Sequence, residues 1–168
     1  MGSGIAEVAA RGGCDVIVVD AVAEALTRAK TGITASLAKA ESAGRLTEPV
    51  AATLARVRFT TDLSALVDRQ ILVEAIRESL DDKVALLRSL DAVVASDCIV
   101  ATNTSSIPVA QLAAATAVPG RVLGLHFFNP VPVMPLVEVV PSLLTDPGVV
   151  DAAQEFCTST LAKRAIRA

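Results

Sequence analysis

A chain of 168 residues, 52% of them hydrophobic, carries enough apolar side chains for one domain with a sizeable core. Its formal net charge of −3, with acids and bases interleaved, and its 2% aromatic content offer neither a basic face nor a stacking platform, which argues against a nucleic-acid partner. No apolar run reaches the roughly eighteen residues of a membrane span and no secretory signal opens the chain, so no membrane partner is expected and a cytoplasmic location is the default.

Taken in order, "MGSGIAEVAARGG" reads as a helix start with Ile5, Val8 and Ala9 on its apolar face, closed by Gly12 and Gly13. Residues 15 to 20 (DVIVVD) are β-branched and too short for a helix, which predicts a strand buried on both faces. Helical patterns follow at 22 to 43 and 47 to 57, a hairpin around Ala43-Gly44, before a short strand near Val57 to Phe59. Strand signatures recur at 70 to 76, 98 to 102 and 122 to 127, separated by helical patterns at 79 to 95 and 108 to 116. A further strand is expected at 136 to 140, after Pro130, Pro132 and Pro135, and a last helix at about 147 to 162. Strands alternating with helices predict an α/β, Rossmann-type, doubly wound and mostly parallel sheet with an inserted helical hairpin.

The first twenty residues resemble the second half of a dinucleotide-binding unit. There the last glycine of the loop lets the helix pack on the strand, and an acid about 20 residues on accepts hydrogen bonds from the ribose. Gly2 and Asp20 suit those two positions, although a Gly-x-Gly and an acid at a strand end also occur without such a role. The strand and glycines that would precede them are expected before Met1, so the sheet should lack its first strand, a costly gap against the roughly 5 to 15 kcal/mol that holds a domain together. The cysteines Cys14, Cys98 and Cys157 lie far apart with one histidine in the chain. They read as buried reduced thiols, with no metal site expected.

The block "NTSSI" (103 to 107) followed by "GLHFFNPVPVMPLVEVV" (124 to 140) resembles the 3-hydroxyacyl-CoA dehydrogenase family, 3-hydroxybutyryl-CoA dehydrogenases included. "VEAIRESLDDK" (73 to 83) is similar to its cofactor-side strand and helix. The chemistry agrees: oxidising a secondary alcohol needs a base for the hydroxyl proton while hydride leaves the same carbon, and histidine suits this near neutral pH. His126 is the only histidine, Glu138 is placed to orient it, and Ser105 is placed to hydrogen-bond the reacting oxygen. Taken singly, the histidine also reads as a core residue, Ser105 and Asn103 as turn caps, and Glu138 as a solvated strand residue.

The resemblance implies an NAD-dependent oxidoreductase of fatty-acid metabolism (β-oxidation) that converts the 3-hydroxyl of an acyl-CoA thioester to a 3-oxo group. Gly2, Asp20, Ala75, Glu78, Lys83, Asn103 and Ser105 would line the NAD side, while Ser36 and Asn129 would meet the substrate. An acid at Asp20 favours NAD over NADP. The whole chain, 1 to 168, then reads as an incomplete NAD-binding domain, truncated at both ends, without the helical domain that supplies substrate walls and the homodimer contact of a complete parent. The closing "LAKRAIRA" is expected to depart from the family pattern. A non-catalytic remnant that binds nucleotide or CoA weakly is the alternative expectation.

Overall fold

The computed structural model describes residues 1–168. Helix α1 (Gly2–Arg11) leads into strand β1 (Val16–Val19), and a helical pair, α2 (Ala23–Ser42) and α3 (Val50–Ala55), precedes β2 (Val57–Thr60). Then come β3 (Ile71–Glu74), α4 (Leu80–Asp91), β4 (Ile99–Thr102), α5 (Val109–Ala113), β5 (Val122–Phe127) and β6 (Leu136–Val140). Helix α6 (Pro147–Glu155) runs into a π-helical turn at Phe156–Thr160 and ends at β7 (Arg164–Arg167). The helical hairpin and the alternation stand where the sequence puts them.

The strands form two sheets, β1 with β2 and the ordered row β3-β4-β5-β6-β7. Every pairing is parallel except β5 with β6. Helix α1 spans both sheets on one face. Its Ala6 packs with Ile33 and Leu37 of α2 against Val16 and Val18, while its Ile5 and Val8 join the cluster that covers Ile71 and Val73. On the opposite face, one cluster built on Leu87, Leu90, Leu112 and Val100 gathers Ile17 and Val19 from the first sheet and Leu72 from the second. The two sheets are therefore halves of one layer with a shared helix below and a shared core above.

Between them lies a seam. The backbone N–H groups of Val16 and Asp20 donate to β2, at Arg56 and Thr60, so alternation in a parallel ladder turns those of Ile17 and Val19 the other way. Likewise the carbonyls of Gln70 and Glu74 accept from Ile99 and Asn103, which turns Ile71 and Val73 away from β4. Their backbone groups have no strand partner, an arrangement that costs stability wherever water is excluded. Burial on both faces, expected for residues 15 to 20, is corrected here: β1 is only half-buried, because no strand covers its second edge. Strand β4, flanked on both sides, is fully buried.

One further expectation changes. Cys98 and Cys157 are buried but Cys14 is only half so, since Gly13 turns the chain outward there with a φ of 89°. The last residues form a strand, in which Ala165 and Ile166 pair in parallel with Val137 and Glu138. Lys163, itself 9% exposed, donates to the carbonyls of Val131 (2.5 Å) and Met134 (2.7 Å). The helix expected at about 147 to 162 is α-helical to Glu155 and continues as the π-helical turn to Thr160, after which Ala162 enters the left-handed region with φ 51° to turn the chain into β7.

Candidate active site

Parallel strands bring the residues that follow their carboxyl ends to one edge, the edge where open α/β sheets bind ligands. Asp20 follows β1, Ala75 follows β3, and Asn103 to Ser105 follow β4. His126 lies near the end of β5.

The one antiparallel step brings the two candidate catalytic side chains together. It sets His126 directly opposite Glu138, on the same face of neighbouring strands, and their side chains meet at 2.7 Å between Nδ1 and Oε2. A carboxylate can only accept, so in the neutral imidazole Nδ1 carries the proton and the Nε2 lone pair faces away from Glu138. The side chains are 25% and 30% exposed, so the dyad is reachable from solvent. The Phe128 ring tilts against the imidazole with centroids 4.8 Å apart. Asn103 accepts the backbone N–H of Phe127 through Oδ1 at 2.9 Å, tying the end of β4 to the histidine strand.

Ser105 is exposed, and its Oγ makes no hydrogen bond within the protein; only its backbone N–H is engaged, donating to Glu78 Oε1 at 3.2 Å. Glu78 also accepts from the Thr104 hydroxyl and from Ser106 through its N–H and Oγ. Burial pushes the Glu78 carboxyl up, but those hydroxyls and the nearby Lys83 ammonium outweigh it and hold the carboxyl at about 2.

Lys83 stands differently from the place the resemblance gives it. Its side chain is 1% exposed; it donates to both carboxyl oxygens of Glu74 (2.8 and 2.9 Å) and lies 3.3 Å from Glu78. It faces protein, not an open cofactor groove. Glu74 and Thr102 complete this cluster, with the Thr102 hydroxyl donating to Glu74 at 2.6 Å. Neither stood out in the sequence, where a glutamate and a threonine closing apolar strands carry no signal of pairing across 28 residues.

Ser36 and Asn129 are brought together. Both line a cavity of about 210 Å³ between α1, α2 and the 129 to 132 loop, with Ser3, Gly4 and Glu7. Glu7 is the unexpected member: it is 1% exposed, and its Oε1 has no hydrogen-bond partner. Burial raises its carboxyl above the usual range, against the lowering influence of Ser36, Arg11 and Lys163.

A doubly wound sheet with a helical hairpin, a His–Glu dyad and an exposed serine at its carboxyl edge defines a dinucleotide-binding domain of the oxidoreductase kind. The chain belongs to the family described as 3-hydroxyacyl-CoA dehydrogenase, NAD binding domain, whose family model matches residues 1–168. The match includes "LAKRAIRA", which corrects the expectation that the end departs from the pattern.

The 3-hydroxybutyryl-CoA dehydrogenase of Mycobacterium tuberculosis is 47% identical over 99% of the chain and 59% of that relative. The 3-hydroxyadipyl-CoA dehydrogenase of Escherichia coli is 47% identical over 96% of the chain and 34% of its own length. Among solved structures, FadB2 of M. tuberculosis superposes with a TM-score of 0.95 at 46% identity, covering 99% of this chain and 59% of that one. The (S)-3-hydroxybutyryl-CoA dehydrogenase PaaH1 of Ralstonia eutropha gives 0.95 at 38% identity with the same coverage. The chain thus spans about 59% of the length of the M. tuberculosis relative.

NAD is the cofactor of this domain family, and the residues at the sheet edge fit its adenosine end. Asp20 is exposed and has one carboxyl oxygen held by the Val22 N–H at 2.9 Å, which leaves the other free to accept from ribose hydroxyls. At Gly2 a Cβ would lie 3.7 Å from Ala75, an ordinary contact, so the packing of the helix start does not itself require a glycine there. No helix is long and apolar enough to cross a membrane.

Proposed function

We propose that this chain is the cofactor domain of an NAD-dependent 3-hydroxyacyl-CoA dehydrogenase, reversibly oxidising the 3-hydroxyl of an acyl-CoA thioester to a ketone. The observation that carries the reading is the 2.7 Å contact between His126 and Glu138 at the carboxyl edge of the sheet. The cofactor supplies the hydride acceptor. His126 takes the hydroxyl proton at Nε2 as hydride leaves the carbon, and Glu138 holds the productive tautomer and stabilises the imidazolium that forms. Ser105, with its Oγ free, donates to the reacting oxygen, and Asn103 keeps β5 in place.

Asp20 takes the ribose hydroxyls, and its charge opposes a 2′-phosphate. Ser36 and Asn129 receive the substrate in the cavity they share. A helical domain of a longer protein would close the substrate side and carry the homodimer contact, and a cytoplasmic setting suits the reading. The seam beside β1 favours a second reading for the isolated chain, weak nucleotide or CoA binding without turnover.

Titrating the purified chain with NADH, then assaying acetoacetyl-CoA reduction with and without His126→Ala, tests both readings. Saturable binding with turnover that falls about 10²- to 10⁴-fold in the variant supports the first. Binding without turnover supports the second, and turnover unchanged in His126→Ala overturns the assignment of the base.

A further inference from the structure

The cluster behind the serine loop has a direction. Glu74 is fully buried, with a side chain 0% exposed, and accepts four hydrogen bonds from three groups: Lys83 Nζ twice, the Thr102 hydroxyl, and the Ile76 N–H at 2.6 Å. Lys83 reaches out of this buried point to Glu78, whose side chain is 39% exposed. Glu78 in turn gathers the N–H groups of Ser105 and Ser106 and the hydroxyls of Thr104 and Ser106. On the other side Thr102 Oγ1 accepts the Thr104 N–H at 3.4 Å. The loop after β4 is thereby held at both ends by one carboxylate that cannot itself touch a ligand.

We propose that Glu74 is a positioning residue for Ser105, acting through Lys83 and Glu78; this rests on reading Ser105 as the donor to the substrate oxygen. Charge decides the form of the device. A buried ammonium needs a partner wherever it sits, and the Glu74 carboxylate satisfies it from below. Lys83 is therefore fixed before it meets Glu78, and Glu78 is fixed before it meets the loop. Serine, threonine and backbone donors would otherwise leave the exposed tip of the turn, Ser105 and Ser106, free to exchange its hydrogen bonds with water. A glutamate anchored only by solvent could not hold four donors in one geometry.

The test is amide hydrogen exchange followed by NMR on the 168-residue chain, beside thermal melts. Glu74→Gln combined with Lys83→Met removes the buried charges together. The amide oxygen at position 74 still accepts the Ile76 N–H and the amide NH2 donates to Thr102 Oγ1 once that hydroxyl turns, so the core is kept while the relay is cut. The expected result is exchange roughly tenfold to a hundredfold faster at Ser105 and Ser106, with Val100 and Leu125 unchanged. Glu78→Gln, at the exposed end of the relay, is expected to give the same local change without touching the core.

Unchanged exchange at Ser105 and Ser106 in either variant overturns the proposal. A general rise across the sheet with no excess at the loop assigns Glu74 to the scaffold alone, and overturns it too. No ligand enters the measurement, so its failure leaves the dehydrogenase reading standing, and a failed turnover assay leaves this result intact.

Discussion

Asn103 and Phe127 share a hydrogen bond that neither secondary structure nor sequence spacing requires: the side-chain oxygen of one accepts the backbone N–H of the other at 2.9 Å. It replaces a ladder bond just where β4 has ended and β5 continues to His126. Asn103→Ala leaves the Phe127 N–H without a partner at a half-buried site. Urea melts are expected to show a loss of about 1 to 2 kcal/mol. Amide exchange should rise at Phe127 before it rises elsewhere in β5.

Glu138→Gln keeps the size of the partner of His126 but replaces a pure acceptor by a group that can also donate. The productive tautomer is no longer enforced. Nitrogen chemical shifts of the His126 ring are expected to move toward a mixture of tautomers. Where turnover is measured with acetoacetyl-CoA and NADH, the rate falls by roughly 10²- to 10⁴-fold.

Glu7 carries a carboxyl raised by burial and an Oε1 that has no hydrogen bond, with the Arg11 guanidinium no nearer than 3.8 Å. An acid whose folded pKa lies above its unfolded one binds its proton more tightly when folded, so its unfavourable contribution appears as pH rises through that window. Glu7→Gln is expected to stabilise the chain at pH 7, by about 1 kcal/mol. The gain should vanish in melts below pH 4, where the wild-type residue is itself neutral.

Glu78 has the opposite sign. Its carboxyl, held at about 2, contributes stability that is complete above the ordinary carboxylate range near 4.5 and lost as pH falls through 2. Glu78→Gln should flatten the acid limb of the stability curve between those values and leave its slope above pH 6 unchanged. An acid limb as steep as in wild type would show that the loop contacts do not depend on the charge.

The approach of α1 to the π-helical turn gives a paired test of backbone freedom. A Cβ on Gly12 would lie 2.2 Å from the Thr160 carbonyl oxygen, so Gly12→Ala forces the turn away and is expected to lower stability by about 1 to 3 kcal/mol. Ala162, at φ 51°, is on the wrong side of the same preference. Ala162→Gly is expected to raise the melting temperature through a gain of about 1 kcal/mol.

Much of this architecture is legible in the chain because apolar runs and helix starts report local structure directly. DVIVVD, CIVAT and VLGLHF are strands, and the spacing from Ser105 to Glu138 announces the dyad. What the residues did not announce depends on long-range placement. Glu74 ends a strand like many others, and only the return of α4 brings Lys83 onto it. Glu7 looks like one more polar position on an amphipathic helix until α2 and the 129 to 132 loop close over it. "LAKRAIRA" has no strand-like alternation, and its strand exists because β6 offers an edge and two carbonyls capture Lys163.

With no ladder crossing the seam, Asp20 on one side and Asn103 on the other are carried by sheets joined through side-chain packing, α1, the segment between β2 and β3, and the Arg69 bond to the Asp15 carbonyl. Small sliding between them would change the span from the ribose end to the hydride end without breaking any backbone bond. A ligand long enough to engage both ends acts as a molecular splint. Its affinity is then set partly by how much relative motion it must quench, and melting in its presence should become sharper as well as later.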